Sequence, residues 1–304
     1  MEKANVLSID HGVHGVVAAA ARPTPPRRMY LDHFGLTARP FSLLPDPDFL
    51  YWSDTHSRAF AMLEYGLATF APITLVTGEI GAGKTTLLRQ LLRTAPSDLR
   101  TGLISNAHGK RGQLLHWIMR ALGEEPSHGM SYVKRFSRLE AMLEKQLAAG
   151  SHTLLVFDEA QNLSEEMLEE LRCLSNLNNE SRELVQIMLV GQPELNELMA
   201  RPSMLQFVQR IAARHHLTGM PRAAVADYIA HRLAVAGCVS EIFTPTAVEL
   251  IAIASGGIPR VINQICDYSL VYAYAEGRDV ADALLVRQVI VERKVQSMTQ
   301  RVMT

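Results

Sequence analysis

Lys84 and Thr85 close the run Gly78-Glu79-Ile80-Gly81-Ala82-Gly83-Lys84-Thr85, and residues of these types at this spacing point to a bound phosphate. Glycines let the chain wrap so that backbone N–H groups converge on a β-phosphate, while the N-terminus of a following helix adds its positive dipole end. The lysine then reaches the β- and γ-phosphates, and the threonine hydroxyl serves magnesium. The apolar "ITLV" ahead of the run and the leucine-striped "TTLLRQLL" behind it, starting at Thr85 and Thr86, give the strand–loop–helix setting that this chemistry needs. Such loops serve small-molecule kinases, GTP switches, transporters, helicases and oligomeric ATPases alike, so the loop by itself does not choose among them.

Four further groups narrow the choice. Asp158 ends the apolar run "TLLVFD", where a carboxylate is costly unless paired, and a magnesium ion held by Thr85 supplies the partner. Glu159, next in the chain, is placed to polarise a water for in-line attack on a γ-phosphate, which favours hydrolysis over transfer to a small acceptor. Gln192 ends another apolar run, "LVQIMLVG", with its amide available to the γ-phosphate or the attacking water; the other reading is a turn residue before Pro193. Arg210 and Arg214 are expected four residues apart on one helical face, either as solvated cations or as arginine fingers for a neighbouring subunit. Arg260, in Gly257-Ile258-Pro259-Arg260, starts a helix and reaches the same phosphate in cis if that helix folds over the loop.

The elements that must hold these groups alternate. Short β-like runs at 72–78, 101–106, 152–160, 184–191 and 215–220 are separated by helical runs at 84–93, 112–122, 132–148, 164–178, 194–200 and 203–213. A further helical run lies at 57–67. Strands that are nearly all apolar, with helices between them, make an α/β core with a parallel sheet covered by helices. Beyond Pro221 four helices follow, at 222–237, 244–255, 258–275 and 281–294, with Thr244-Pro245 as a cap and first-turn pair and Gly256-Gly257 as a stop. The expected organisation is a disordered extension at 1–29, rich in Ala, Pro and Gly, an α/β core at 30–221, a helical lid at 222–294 and a tail at 295–304.

Bulk properties set limits. The 304 residues are 48% hydrophobic with a formal net charge of −1, so no global positive field attracts nucleic acid or anionic lipid. Any such contact must be local, and Lys110-Arg111 and Lys134-Arg135 with Arg138 are the clusters available for duplex DNA. Cys173, Cys238 and Cys266 lie far apart and read as reduced core thiols. His215-His216 show no metal spacing with a third ligand. No uninterrupted apolar run of about 18 residues occurs, so direct membrane insertion is not expected; the N-terminal "GVVAAAA" is short, follows Asp10 and His11 and lacks a basic stretch of useful strength, which argues against a secretory signal, and the expected location is the cytoplasm.

These five chemical elements in this order, followed by a helical lid, resemble an AAA+ ATPase, a P-loop NTPase. More narrowly, residues 30–294 resemble the ExeA/GspA type of secretion-associated ATPases, a branch related to the TnsC and MuB type of transposition regulators. The carriers are "YLDHFGLTARPFSLLPDPDFLYWSDTHSRAFAMLEYGL", "GEIGAGKTT", "LLVFDEAQNLS", "LVGQPEL", "QRIAARHHL" and "GGIPRVINQICDYSLVYAY". The resemblance implies ATP on Gly78–Thr86, Mg2+ held with the help of Asp158, water activated by Glu159, Gln192 as first sensor, Arg210 as finger and Arg260 as second sensor. It also implies a strand order of 5-1-4-3-2 and a place near the adenine for Tyr30–Tyr51. Longer relatives of this type continue into a transmembrane helix and a periplasmic peptidoglycan-binding domain, whereas this sequence stops at Thr304, so direct coupling to the cell wall is not expected. "MYLDHFGL" looks like a family start, which makes Met29 an alternative initiation site.

The leading expectation is a homo-oligomeric ATPase, ring or helical filament, that assembles or remodels a partner in secretion, pilus or exopolysaccharide export machinery. Such a protein sits at the inner membrane only peripherally, through that partner. The alternative is an ATP-dependent matchmaker that polymerises on duplex DNA and recruits a transposase or related enzyme. A small-molecule kinase fits less well, because the Asp-Glu pair and the four-helix C-terminal domain argue against it: a kinase lid normally supplies arginines over an acceptor pocket.

Overall fold

The computed structural model describes residues 29–105, 107, 113–125, 129–178 and 182–302, with side chains as far as 295. The chain opens with α1 (Met29–His33) and α2 (Asp54–Ala68), the latter capped by the Ser53 hydroxyl, which accepts from the His56 N–H. Alternating units follow: β1 (Ile73–Gly78), α3 (Lys84–Thr94), β2 (Leu99–Ser105), α4 (Gln113–Ala121), α5 (Tyr132–Ala148) and β3 (His152–Asp158). Then come α6 (Glu165–Ser175), β4 (Gln186–Gly191), α7 (Glu194–Met199), the four-residue α8 (Leu205–Val208) and β5 (Ile211–Leu217). Four helices end the chain: α9 (Ala224–Val235), α10 (Pro245–Ser255), α11 (Pro259–Ala275) and α12 (Ala283–Val302).

The five strands are all parallel, in the order β2-β3-β4-β1-β5, which read from the other edge is the expected 5-1-4-3-2. Central strands β1 and β4 are buried at every position, as continuous apolar runs with helices on both faces must be. Side chains alternate across the sheet. Val76, Val156, Met188 and Val190 pack against Ala59, Leu63, Leu87, Leu88 and Leu91 of α2 and α3. Their neighbours Leu75, Leu155, Phe157, Ile187 and Leu189 face the opposite core with α4, α5 and α6.

A separate core joins the C-terminal helices. Ile251, Ile262, Ile265, Leu270 and Val286 are buried there, and Tyr30, Phe34, Leu36 and Phe41 from the N-terminal aromatic block are buried with them. The Tyr30 hydroxyl donates to Asp267 of α11, fastening that attachment. The aromatic block therefore divides: its first part packs on the helical region, and only the part from Ser42 to Tyr51 reaches the P-loop cleft.

Two elements depart from expectation: α12, expected to end at 294 ahead of a tail at 295–304, runs on to Val302, and the segment before β5 is not the helix expected there. The helix expected at 203–213 is a 3-10 turn (Pro202–Met204) followed by α8, and the strand expected from His215 starts at Ile211. Alanines at 212 and 213 favour helix locally, but the free edge of β1 takes these residues into its ladder, pairing Ile73 with Ile211 and Thr74 with Ala213. Arg210 and Arg214 accordingly do not share a helical face. Of the cysteines, Cys266 is a buried core thiol, while Cys173 and Cys238 are only half-buried. Among the described residues no helix is long and apolar enough to cross a membrane. Of the extension expected at 1–29, Met29 begins α1, and 1–28 lie outside the described residues.

Candidate nucleotide site

The P-loop occupies the C-terminal end of β1, and its glycines are required by geometry. Gly81 and Gly83 sit at φ +81° and +104°, in the left-handed region that side chains avoid, and a Cβ on Gly81 would lie 2.3 Å from the Arg260 Cβ. Gly83 caps α3 without a side-chain bond, so the first amides of that helix remain directed at the loop. Lys84 is 8% exposed, and its ammonium donates to the carbonyls of Gly78 at 2.5 Å and Glu79 at 2.9 Å. Burial pushes its pKa down, and the carboxylates of Glu159 and Asp158 oppose that shift.

Thr85 and Asp158 meet across the loop, with the Thr85 hydroxyl donating to Asp158 Oδ2 at 3.1 Å. Burial raises the Asp158 pKa, although that bond and the Glu159 N–H, 3.0 Å from Oδ1, work against it. Glu159 is one of two non-glycine residues at positive φ among those described, at +57°. Its Oε2 accepts from Gln161 Nε2 at 2.6 Å and from Gln192 Nε2 at 2.9 Å. Burial alone raises the Glu159 pKa; the two amides, Lys84 and Arg260 outweigh it, so the carboxyl is held below its ordinary range. Gln192 is thus beside Glu159 rather than in an isolated turn before Pro193.

The lid closes one side. The Arg260 N–H donates to the Gly81 carbonyl at 3.2 Å, which seats the start of α11 on the P-loop and places Arg260 in the cleft lining. Gly257, at φ +73°, makes this possible: a Cβ there would lie 1.9 Å from the Met220 carbonyl oxygen.

Three lining residues carry no motif. His56 is buried beneath the loop, with Nδ1 2.7 Å from the Ser53 hydroxyl and Nε2 2.9 Å from the Ala82 carbonyl. Burial lowers its pKa. A neutral ring with Nε2–H donating to Ala82 and Nδ1 accepting from Ser53 satisfies both contacts. Arg232 of α9 donates to the Pro40 carbonyl and the Tyr228 hydroxyl and lies 4.9 Å from the Phe49 ring centroid. Tyr228 in turn donates to Asn263 at 2.8 Å. Arg232 and Tyr228, with Ser42–Asp46 and Phe49–Tyr51, line the same cleft as Lys84. Ser53 three residues ahead of His56 was the available sequence signal, a cap that fixes which face of α2 the histidine occupies; Arg232 and Tyr228 offered none beyond helical spacing.

Other expected site residues lie elsewhere. Arg210 is exposed in the turn before β5 and does not line the cleft. Ile211 pairs with Ile73 and Leu217 with Gly78, so the length of β1 separates Arg210 from its own P-loop, roughly 17 Å at about 3.3 Å per residue. Arg214 lies in β5 and donates to Asn196 at 2.9 Å, while Asn196 donates to Thr77 beside the loop at 2.8 Å. Among the DNA candidates, Lys134 is exposed on α5, Arg135 is half-buried and Arg138 is paired with Glu124 at 2.6 Å. Lys110 and Arg111 lie outside the described residues.

Among the described residues no three His, Cys, Asp or Glu side chains form a metal-holding group. The adjoining Thr85 hydroxyl and Asp158 carboxylate suit Mg2+, which takes one or two protein oxygens and completes its shell with water and phosphate.

Comparison with known proteins agrees with this geometry. The profile of the AAA domain family matches residues 70–199. "General secretion pathway protein A" of Aeromonas hydrophila is 41% identical over 251 residues, covering 82% of this chain and 46% of the relative. The chain thus spans about half the length of that relative. Among solved structures, Cdc6p from Pyrobaculum aerophilum aligns with a TM-score of 0.62 at 18% identity, over 78% of this chain and 68% of its own. Drosophila ORC bound to DNA gives 0.62 at 18% identity, over 95% of this chain and 73% of its own. The ORC1 protein of Aeropyrum pernix in complex with DNA gives 0.61 at 18%, over 84% and 69%. At these identities the structural likeness speaks to the fold.

Proposed function

The chain belongs to the AAA+ P-loop ATPases of the secretion-associated type represented by general secretion pathway protein A, and on that premise we propose an oligomeric, Mg2+-dependent ATP hydrolase that assembles or remodels an envelope secretion partner. The observation that carries this is the convergence of Lys84, Thr85, Glu159, Gln192 and Arg260 on one cleft, with Asp158 hydrogen-bonded to Thr85 behind them. The loop amides and Lys84 hold the β- and γ-phosphates, and the Ser42–Tyr51 segment with Tyr228 and Arg232 encloses the base. Thr85 and Asp158 would hold Mg2+, which would neutralise charge developing on the phosphates. Glu159 orients the attacking water and accepts its proton, Gln192 fixes Glu159 and faces the γ-phosphate, and Arg260 reads that phosphate from the lid.

Arg210 completes the site from a neighbouring copy. Its exposure and its position at the far end of β1 support donation in trans, and a head-to-tail contact of this sort generates rings or helical filaments. An arginine finger is worth about 10³–10⁵ in rate, so a dilute monomer should be nearly inert.

The second reading, a DNA-dependent matchmaker, draws on two DNA-bound proteins that share the fold. The pairing of Arg138 with Glu124 weakens it. The deciding experiment measures particle size and ATPase rate with ATP and Mg2+, with and without duplex DNA. Assembly and hydrolysis indifferent to DNA support the secretion role. Strong, salt-sensitive stimulation by duplex replaces it with the matchmaker, and absence of hydrolysis in concentrated protein refutes both.

A further inference from the structure

The short 3-10 turn at Ala160–Asn162, directly after the left-handed Glu159, brings the Gln161 side chain back against Glu159 and Gln192. Gln161 is tied at both ends of its amide. Its Nε2 donates to Glu159 Oε2 at 2.6 Å, and its Oε1 accepts from the Gln192 backbone N–H at 3.0 Å. The two partners fix which end of the amide faces which way, because only the NH2 can serve a carboxylate and only the oxygen can serve an N–H. Gly191 makes the room: a Cβ there would lie 3.1 Å from Gln161 Oε1 and 3.3 Å from the Gln161 backbone nitrogen.

Gln192 Nε2 completes a closed ring of contacts by donating to the same Glu159 oxygen. Glu159 Oε2 is therefore doubly engaged, and Oε1 is the carboxylate oxygen left to a water. The geometry points to Gln161 as a positioning residue for hydrolysis, which sets the orientation of the Glu159 carboxylate and the place of Gln192 without itself touching nucleotide. The inference rests on the ATPase reading above. Orientation matters because a general base must lie within hydrogen-bond reach of the proton it takes, and a misplacement of about 1 Å costs on the order of 100-fold.

The test uses the full chain at a concentration where the wild type hydrolyses ATP. Gln161→Leu removes both contacts at similar size, and Gln161→Glu keeps the shape but replaces the donor with an acceptor. Both should lower kcat about 10- to 100-fold while leaving the Kd for a fluorescent ATP analogue within twofold of wild type. The effect should vanish in a Glu159→Gln background, where long single-turnover time courses with and without Gln161→Leu should agree within twofold. An equal fold-loss in both backgrounds, a loss confined to nucleotide affinity, or wild-type kcat in Gln161→Glu would overturn the proposal. A wild type without hydrolysis sinks the ATPase reading and this inference with it, whereas an active wild type with unaltered variants sinks this inference alone.

Discussion

Glu159 and Lys84 both line the cleft, and the different duties proposed for them mean that their replacements should separate binding from turnover. Glu159→Gln should retain nucleotide and lower kcat by about 10²–10⁴-fold, the usual share of a general base. Lys84→Ala should lose affinity for ATP itself, and equilibrium binding alongside a phosphate-release assay distinguishes the two. His56 makes a prediction about pH. Its folded-state pKa lies below the ordinary value of about 6.5, so the unfolded chain binds more protons as pH falls and stability drops from about pH 6.5 downward. His56→Gln should cost roughly 1–3 kcal/mol at pH 7 through the lost Ser53 and Ala82 contacts, yet show a shallower decline between pH 7 and 5 in urea unfolding. Residues adjacent in a motif, such as Asp158 and Glu159, were legible in the sequence because their chemistry depends on the local turn. His56, Tyr228 and Arg232 were not, since they reach the cleft from segments far from any motif and only the tertiary fold brings them together.

At the scale of elements, the central strands and the C-terminal helices were readable because burial on both faces leaves continuous apolar runs and caps leave local marks. Thr244 is such a mark: its hydroxyl accepts from the Ala247 N–H ahead of Pro245, and Thr244→Ala should cost about 1 kcal/mol in urea unfolding. Strand β5 was partly misread, because its start at Ile211 depends on the open edge of β1 rather than on its own alanines. The lid joint at Gly257 shows how an element can set a site without contributing to it. Gly257→Ala must move either Met220 or the start of α11, and α11 carries Arg260 onto the P-loop. It should lower stability by roughly 2–3 kcal/mol and weaken ATP binding together, as differential scanning with and without nucleotide would report.

For the whole molecule, the placement of Arg210 decides the argument. On the proposed reading the cleft between sheet and lid provides the binding, the base and the cis arginine, while Arg210 lies exposed beyond the other end of β1. The sequence pointed to Arg210 through its resemblance to a family; that it stands too far to serve its own phosphate became apparent only from the strand register. If the site is shared between copies, two inactive variants should repair each other. Arg210→Ala retains a complete cleft and lacks the finger, whereas Glu159→Gln has a finger and lacks the base. The most direct measurement is therefore the ATPase rate of each variant alone and of an equimolar mixture at fixed total concentration. A site shared between copies gives near-zero rates alone and a clear recovery in the mixture; a mixture no faster than its parts, or full activity in Arg210→Ala alone, would contradict it.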